Sequence, residues 1–333
     1  MGRPLVSVVT PFRNTASYLD QCIESVLAQS YPDFEYILVD NCSTDGSAEI
    51  ARRYASRDSR ISFWSQPQVL SQVANYNSSL ARISDASEYC KVVQADDYIF
   101  PDCLRLFVDV FERSERIGLA SSYDLKGDMV RGSGFPESES VLSGKDAARL
   151  FLRTGICIFG SPTTVMYRSA LVRGTKEFYD PSLLHEDTEK CLQILGDWDF
   201  AFVHQVLSFL RLGNDSVSSA VRTLAPDELD RHITVQRYAA TFLDEHEASE
   251  LKGRVRREYY RVLARQALRF RGAEFWRYHR AGLATVGETL DRRTLTAQLG
   301  RELLWMAANP GITIGHVFRY IQRRTSRKNG RSI

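Results

Sequence analysis

Short β-branched runs alternate with stretches of helical periodicity along the first half of the chain, and this alternation constrains the fold most. Val6-Ser7-Val8-Val9-Thr10-Pro11 is an apolar run stopped by proline and reads as a first buried strand. Phe12-Arg13-Asn14-Thr15 supplies turn and cap residues. Leu19, Cys22, Ile23, Val26 and Leu27 then fall at helical spacing between Ala16 and Gln29. Phe34 to Val39 reads as a second strand, running into the polar stretch Asp40 to Ser47, which ends as a cap for a helix over Ala48 to Ala55. A third strand over Ile61 to Trp64 and a helix over Val73 to Ile83 follow. Strand and helix in strict alternation predict a mostly parallel, doubly wound α/β sheet with helices on its faces.

Tyr89 to Ala95 is a further apolar run, and it ends in two adjacent carboxylates, Asp96 and Asp97. Like charges a few ångströms apart repel, so such a pair needs a partner or one member protonates. A hard divalent cation held through oxygens, together with nucleotide phosphates, is one remedy. A strand followed by an Asp-rich turn is the plainer reading, of equal weight on these residues alone. In parallel sheets ligands bind beyond the carboxyl ends of the strands. Thr10-Pro11-Phe12, Asp40-Asn41 and Asp96-Asp97 all lie at such ends, so three separate turns are expected to converge on one crevice.

The stretches "VSVVTPFRN", "SVLAQSYPDFEYILVDNCSTDGS", "VVQADDYIFPD", "FGSPTTVMYRSAL", "HEDTEKCLQIL" and "LSFLRLGNDSVS" occur in this order between Leu5 and Ser219. As an ordered set they resemble the family 2 glycosyltransferases, inverting enzymes of the GT-A fold that use nucleotide-diphosphate sugars. The resemblance implies a donor nucleotide bordered by Thr10, Pro11, Phe12 and Asn14, with Phe12 flanking the base. It places Asp40 and Asn41 where the family usually has two acids, the second of which accepts a hydrogen bond from uracil. Asn41 lacks that charge, which weakens the preference for a UDP-sugar that the resemblance otherwise favours. Asp96 would face the ribose, and Asp97 would bind the Mg2+ or Mn2+ that bridges the diphosphate. Gln94 stands where many members carry another acid. Asp187, preceded by Glu186, matches the catalytic base. The competing reading of that pair is ordinary helix-start acids favoured by the macrodipole. Phe159-Gly160-Ser161-Pro162 matches a loop that approaches the acceptor or the diphosphate, although the residues themselves say only "turn". Arg211 is a phosphate contact or a structural partner, and Gly213 replaces a histidine common in relatives.

The implied reaction is single displacement: an acceptor hydroxyl attacks the anomeric carbon, a nucleoside diphosphate leaves, and the configuration inverts. A cation stabilises the leaving phosphates, and a carboxylate on the opposite side takes the proton. The expected acceptor is a glycan or lipid-linked glycan, in bacterial surface-polysaccharide or cell-envelope synthesis. Two other classes compete. A catalytically weak scaffold or regulatory subunit that binds a nucleotide sugar would not hydrolyse its donor in Mn2+. A sugar nucleotidyltransferase would need a Gly-rich basic loop, which Thr10 to Thr15 does not supply.

With 333 residues, the chain exceeds one usual core. The expected division is a catalytic domain over 1–222, a basic helical region over 223–322 and a disordered tail over 323–333. The acceptor-selecting segment, Arg116 to Met166, should contain a mobile loop around Gly127, Gly132, Gly134 and Pro136, followed by a helix over Ser143 to Thr154. A late strand is expected over Val203 to Leu212. Six scattered cysteines without a Cys-x-x-Cys pair indicate neither a zinc site nor a disulfide framework. With no leader-like opening and no apolar stretch of spanning length, the expected compartment is the reducing cytoplasm. Neither Gly-x-Gly-x-x-Gly nor a phosphate loop ending in Gly-Lys-Ser/Thr occurs, against dehydrogenases and P-loop kinases.

The overall charge of +2 hides a division: residues 252–333 hold 19 Lys and Arg against 5 Asp and Glu, a net +14, leaving −12 for the rest. Aromatic residues interleave with those cations at helical spacing. An anionic membrane surface on the inner face of the cell membrane is one partner for such a region. Packing on the catalytic domain or homodimerisation is the second reading, and a nucleic-acid surface is the least favoured.

Overall fold

The computed structural model describes residues 2–183, 185–212 and 224–310. They fall into two compact units, Met1–Ala220 with Tyr238–Asp244, and Val221–Arg237 with Glu245–Ile333. Gly213 and the tail 323–333 lie outside the described residues, as does the basic region beyond residue 310.

The first unit opens with β1 (Leu5–Phe12), α1 (Ala16–Leu27), β2 (Phe34–Asp40), α2 (Ser47–Ala55), β3 (Ile61–Ser65), α3 (Gln72–Leu80) and β4 (Ser87–Val92). There follow β5 (Tyr98–Ile99), α4 (Cys103–Phe111), β6 (Ile117–Lys126), β7 (Met129–Arg131), β8 (Val141–Leu142) and α5 (Gly144–Thr154). It continues with β9 (Met166–Arg168), α6 (Ser169–Arg173), α7 (Glu186–Ile194) and β10 (Asp199–Leu210). Among the described residues the strands form one sheet in the order β3-β2-β1-β4-β9-β6-β10-β5, with β7 on β6 and β8 on β10.

β3, β2, β1 and β4 are parallel, as the alternation predicts, and so are β6 and β10. The short β9 runs antiparallel between β4 and β6. The sheet rests on apolar faces set by periodicity. Leu19, Cys22, Ile23 and Val26 of α1 are buried at i, i+3, i+4 and i+7, and the Leu, Ile and Val side chains each contribute ~1.5–3 kcal/mol on leaving water. The predicted helix ahead of Thr154 is capped as its sequence suggests, with the Ser143 hydroxyl accepting from the Asp146 N–H at 3.1 Å.

Several predicted boundaries shift, among them that of the fourth strand, which ends at Val92, four residues ahead of Asp96. The late strand begins at Asp199 rather than Val203, because Phe200, Ala201 and Phe202 are all buried in pairing with β6. The third helix ends at Leu80, with Ala81 to Ile83 in a turn. Part of the expected loop at Gly127 is a hairpin: β7 folds back on β6 through Gly127 and Asp128, Gly127 taking the left-handed φ of +63° that glycine adopts freely.

Register aligns the strand ends. Phe12 lies opposite Asp40, and Val9 opposite Val92, so the turns after β1, β2 and β4 emerge along one edge. The antiparallel strands add two more segments to that edge. Lys91 pairs with Met166, so reading backward from β9 carries Thr163 to Gln94 and Asp97. Phe209 pairs with Tyr98, so β10 runs on toward Asp96 with Arg211.

The second unit is helical, built from α8 (Pro226–Phe242, whose last residues count with the first unit), α9 (Glu245–Ala267), α10 (Ala273–Ala284) and α11 (Arg292–Ala308). Its core comprises Leu229, Ile233, Tyr259, Tyr260, Leu263, Phe275 and Leu283. A buried polar chain threads this core. His232 stacks on Tyr259 at 4.9 Å, the Tyr259 hydroxyl bonds His279 Nδ1 at 2.9 Å, and His279 Nε2 meets the Leu224 carbonyl at 2.9 Å.

Candidate active site

The turn after β1 is clipped to the turn after β2. Asn14, at φ +52°, accepts from the Thr44 N–H at 2.8 Å and gives its own N–H to the Ser43 hydroxyl at 3.0 Å. The first free N–H groups of α1 are satisfied from the same turn, Thr15 by the Ser47 hydroxyl and Ala16 by Asp45. Thr10, Pro11 and Phe12 are buried. The Thr10 hydroxyl donates inward to the Val93 carbonyl at 2.8 Å, and Phe12 belongs to the main core cluster. These residues therefore fix the strand end from within.

Asp40, also buried, accepts from the Ser43 N–H at 2.9 Å and the Ser65 hydroxyl at 3.1 Å. Asn41 is committed to the backbone of Leu70: its amide nitrogen donates to the Leu70 carbonyl at 2.9 Å, and its amide oxygen accepts the Leu70 N–H at 2.8 Å. It thereby straps the segment after β3 to the end of β2.

Asp97 is held from two sides. Its Oδ1 accepts the Arg211 N–H at 3.1 Å, and its Oδ2 accepts the Thr163 hydroxyl at 2.7 Å. Burial, reinforced by the neighbouring Asp96 charge, pushes its carboxyl up to about 7. The Arg211 guanidinium is occupied by the Asp96 carbonyl at 3.0 Å, by Gln21 at 2.6 Å and by the Tyr18 ring at 4.6 Å. Asp124, another buried acid, is neutralised by a two-pronged pair with Arg131 at 2.8 and 3.0 Å, and also accepts from the Thr164 hydroxyl. Ser161 sits in the same segment, its N–H directed at the Thr164 hydroxyl at 3.4 Å.

Glu186 and Asp187 open α7 as read from sequence, with Glu189 a third acid in the first turn. The Thr188 N–H donates to Asp187 Oδ1 at 2.7 Å, and burial raises the Asp187 carboxyl despite the opposing influence of His185. Glu186 is raised by burial and then by Asp187.

Two tyrosines that the sequence reading did not single out connect the acid centres. Tyr76 on α3 is raised by burial, an effect the nearby Gln94 side chain opposes, and feels the charges of Asp96 and Asp97. Tyr179 is raised by burial and next, among the charges, by Asp187. Their rings meet edge to face at 6.0 Å. Tyr76 is thus within the electrostatic reach of Asp96 and Asp97, Tyr179 within that of Asp187, and the two rings touch. Asn77 holds Tyr179 as Asn41 holds Leu70, with hydrogen bonds of 2.7 and 2.8 Å to its carbonyl and N–H.

The donor set at Asp97 suits Mg2+ or Mn2+. An ionised carboxylate has about four lone-pair positions, and two are filled by protein donors. The rest face two causes of a raised carboxyl, burial and a like charge, which a cation relieves. Among the described residues no three His, Cys, Asp or Glu side chains form a metal cage. The residues therefore fit a cation completed by diphosphate oxygens and water rather than an all-protein site.

The family model for glycosyl transferase family 2 matches residues 7–174, and the chain belongs to that family. An uncharacterized glycosyltransferase of Haemophilus influenzae is 30% identical over 224 residues, spanning 66% of this chain and 84% of that protein. Among solved structures, S. aureus TarS 1-349 in complex with UDP-GlcNAc is similar with a TM-score of 0.57 and 18% identity, over 77% of this chain and 72% of that one. The mannosyltransferase PcManGT from Pyrobaculum calidifontis, solved with GDP-Man and Mn2+, has a TM-score of 0.52 and 15% identity over 94% and 83%. The fold is thus the GT-A fold.

Proposed function

We propose that the chain moves a sugar from a nucleotide-diphosphate sugar to a hydroxyl of a glycan or lipid-linked glycan, inverting the anomeric centre. The observation that carries this reading is that two acid centres, Asp96-Asp97 near Tyr76 and Asp187 near Tyr179, are linked by the contact between the two rings. In this reading Asp97 anchors the diphosphate end of the donor through Mg2+ or Mn2+, with Asp96 toward the ribose. When bound, that cation supplies Lewis-acid stabilisation of the leaving phosphates. Asp187 accepts the acceptor proton, and its raised affinity for protons makes it a better base near neutral pH while it remains ionised. The turns carrying Thr10 to Asn14 and Asp40-Asn41 form the nucleotide end, with Ser161 and Glu186 toward the acceptor. Uridine and guanosine donors are the first to test, since TarS and PcManGT were solved with UDP-GlcNAc and GDP-Man respectively.

No helix of the described residues is long and apolar enough to cross a membrane. We assign the basic unit to an anionic membrane surface on which a lipid-linked acceptor sits. Arg256 pairs with Asp291 and Arg265 with Glu302, so α9 and α11 run side by side in one direction. Exposed Phe270 beyond α9 and exposed Leu303, Leu304 and Trp305 late in α11 accordingly share an end, with exposed Arg269 and Arg301 among them. A homodimer interface is the alternative use of that surface.

Thermal-shift screening of nucleotide sugars with and without Mn2+ tests the donor reading. Stabilisation by one nucleotide class, dependent on Mn2+ and followed by slow donor hydrolysis, is expected. No shift with any nucleotide diphosphate overturns it.

A further inference from the structure

Thr163 has no role in the sequence reading, yet its side chain is fully buried at the centre of the Asp97 contacts. Its hydroxyl lies 2.7 Å from Asp97 Oδ2, 3.1 Å from the Gln94 N–H and 3.5 Å from Gln94 Oε1. A hydroxyl has one proton to give and lone pairs to accept with. The Gln94 N–H occupies an acceptor position, so the proton goes to the nearer and more basic oxygen, that of Asp97. The Thr163 backbone is fixed as well. Lys91, a fully buried lysine in β4, directs its Nζ to the Thr163 carbonyl at 2.7 Å and the Val165 carbonyl at 3.4 Å, with the Phe107 ring 4.6 Å away. Burying an ammonium is costly unless it is hydrogen-bonded, and no carboxylate lies among these contacts. Its best-placed bond goes to the residue that holds Asp97.

We propose that Thr163 is a positioning residue for the cation site: anchored by Lys91 and Gln94, its hydroxyl fixes the Asp97 carboxylate so that the remaining lone pairs face the diphosphate. The proposal rests on the reading of Asp97 as the cation-binding carboxylate. Groups that orient a ligand to a metal typically change metal affinity 10–100-fold when removed. Orientation by Thr163 belongs to the hydroxyl and not to its methyl group, because only the hydroxyl reaches Asp97. Serine preserves that donor, whereas valine keeps the shape and loses it.

The test is a Mn2+ titration followed by the free-ion electron paramagnetic resonance signal, with excess UDP and, in parallel, excess GDP, on wild type, Thr163→Val and Thr163→Ser. Circular dichroism melts of the same samples report the fold. Thr163→Val should weaken Mn2+ binding roughly 10–100-fold, and Thr163→Ser should return it to within about threefold of wild type, whatever the melting temperatures do. Equal Mn2+ affinity in wild type and Thr163→Val overturns the proposal, as does Thr163→Ser binding as weakly as Thr163→Val. If wild type itself binds no Mn2+ with either nucleotide, the Asp97 reading fails, and the positioning role with it.

Discussion

Replacing Asn41 by Asp alters one functional group at a buried junction of two site loops. The wild-type amide gives one hydrogen bond to the Leu70 carbonyl and takes one from its N–H. A carboxylate keeps the second bond and loses the first, turning a 2.9 Å N–H···O contact into an approach of two oxygens. An acceptor left without its donor costs ~1–3 kcal/mol. The new charge is itself buried, next to buried Asp40, which adds a desolvation and repulsion penalty. A total loss on the order of 2–4 kcal/mol at pH 7 follows from these contributions.

The sign of the pH dependence identifies the cause. The new carboxyl should have a folded-state pKa above its unfolded value of ~3.9, so the penalty is absent below that value and grows as pH rises toward the folded pKa. When protonated, it regains a donor for the Leu70 carbonyl. Urea unfolding of wild type and Asn41→Asp at pH 5 and pH 7.5 measures the difference, and the gap should widen at the higher pH. A gap of the same size at both pH values, or none, would refute the strap. With the strap intact in wild type, loss of nucleotide binding in this variant would reflect a displaced loop as well as any contact to the base.

Three further outcomes are expected. His279, lowered to about 4 by burial, favours folding while neutral. Its contribution is complete above 6.5 and falls as pH drops toward 4, a window worth on the order of 3 kcal/mol at ~1.4 kcal/mol per pH unit. Acid unfolding of the helical unit, followed by Trp276 and Trp305 fluorescence, should show it, and His279→Gln should flatten that limb. Leu304→Glu with Trp305→Glu should abolish sedimentation with anionic vesicles at low salt, with neutral vesicles as the control. A change of oligomeric state instead would give that face to a second copy. Transfer by Asp187→Asn should fall 10²–10⁴-fold, and that by Glu186→Gln by less.

The elements that position the site were legible because periodicity marks them. The β1, β2 and β4 runs and the spacing of Leu19, Cys22, Ile23 and Val26 follow from burial on one or both faces. The acid pair stood out because adjacent like charges at the end of an apolar run call for a partner, although an Asp-rich turn fitted those residues equally well. What escaped depends on contacts distant in sequence. Thr163 meets Asp97 across 66 residues, and Tyr179 meets Tyr76 through an edge that no local pattern records. Lys91 had a faint signal, a lone cation inside an apolar run, which pattern reading absorbed into the strand. Asn41 was recognised by position, but its amide could not be assigned to Leu70 without the turn geometry. The antiparallel β9 is only three residues long, too short to show a period, yet it brings Thr163 to the site.

That Asp97 holds the leaving diphosphate while Asp187 serves the acceptor is tested most directly by calorimetric titration of UDP and GDP in Mn2+ into Asp97→Asn and Asp187→Asn side by side. Asp97→Asn should lose the Mn2+-dependent part of nucleotide binding. Asp187→Asn should bind as wild type does while failing to transfer. Unchanged Mn2+-dependent binding in Asp97→Asn, or full transfer by Asp187→Asn, would contradict the division of roles.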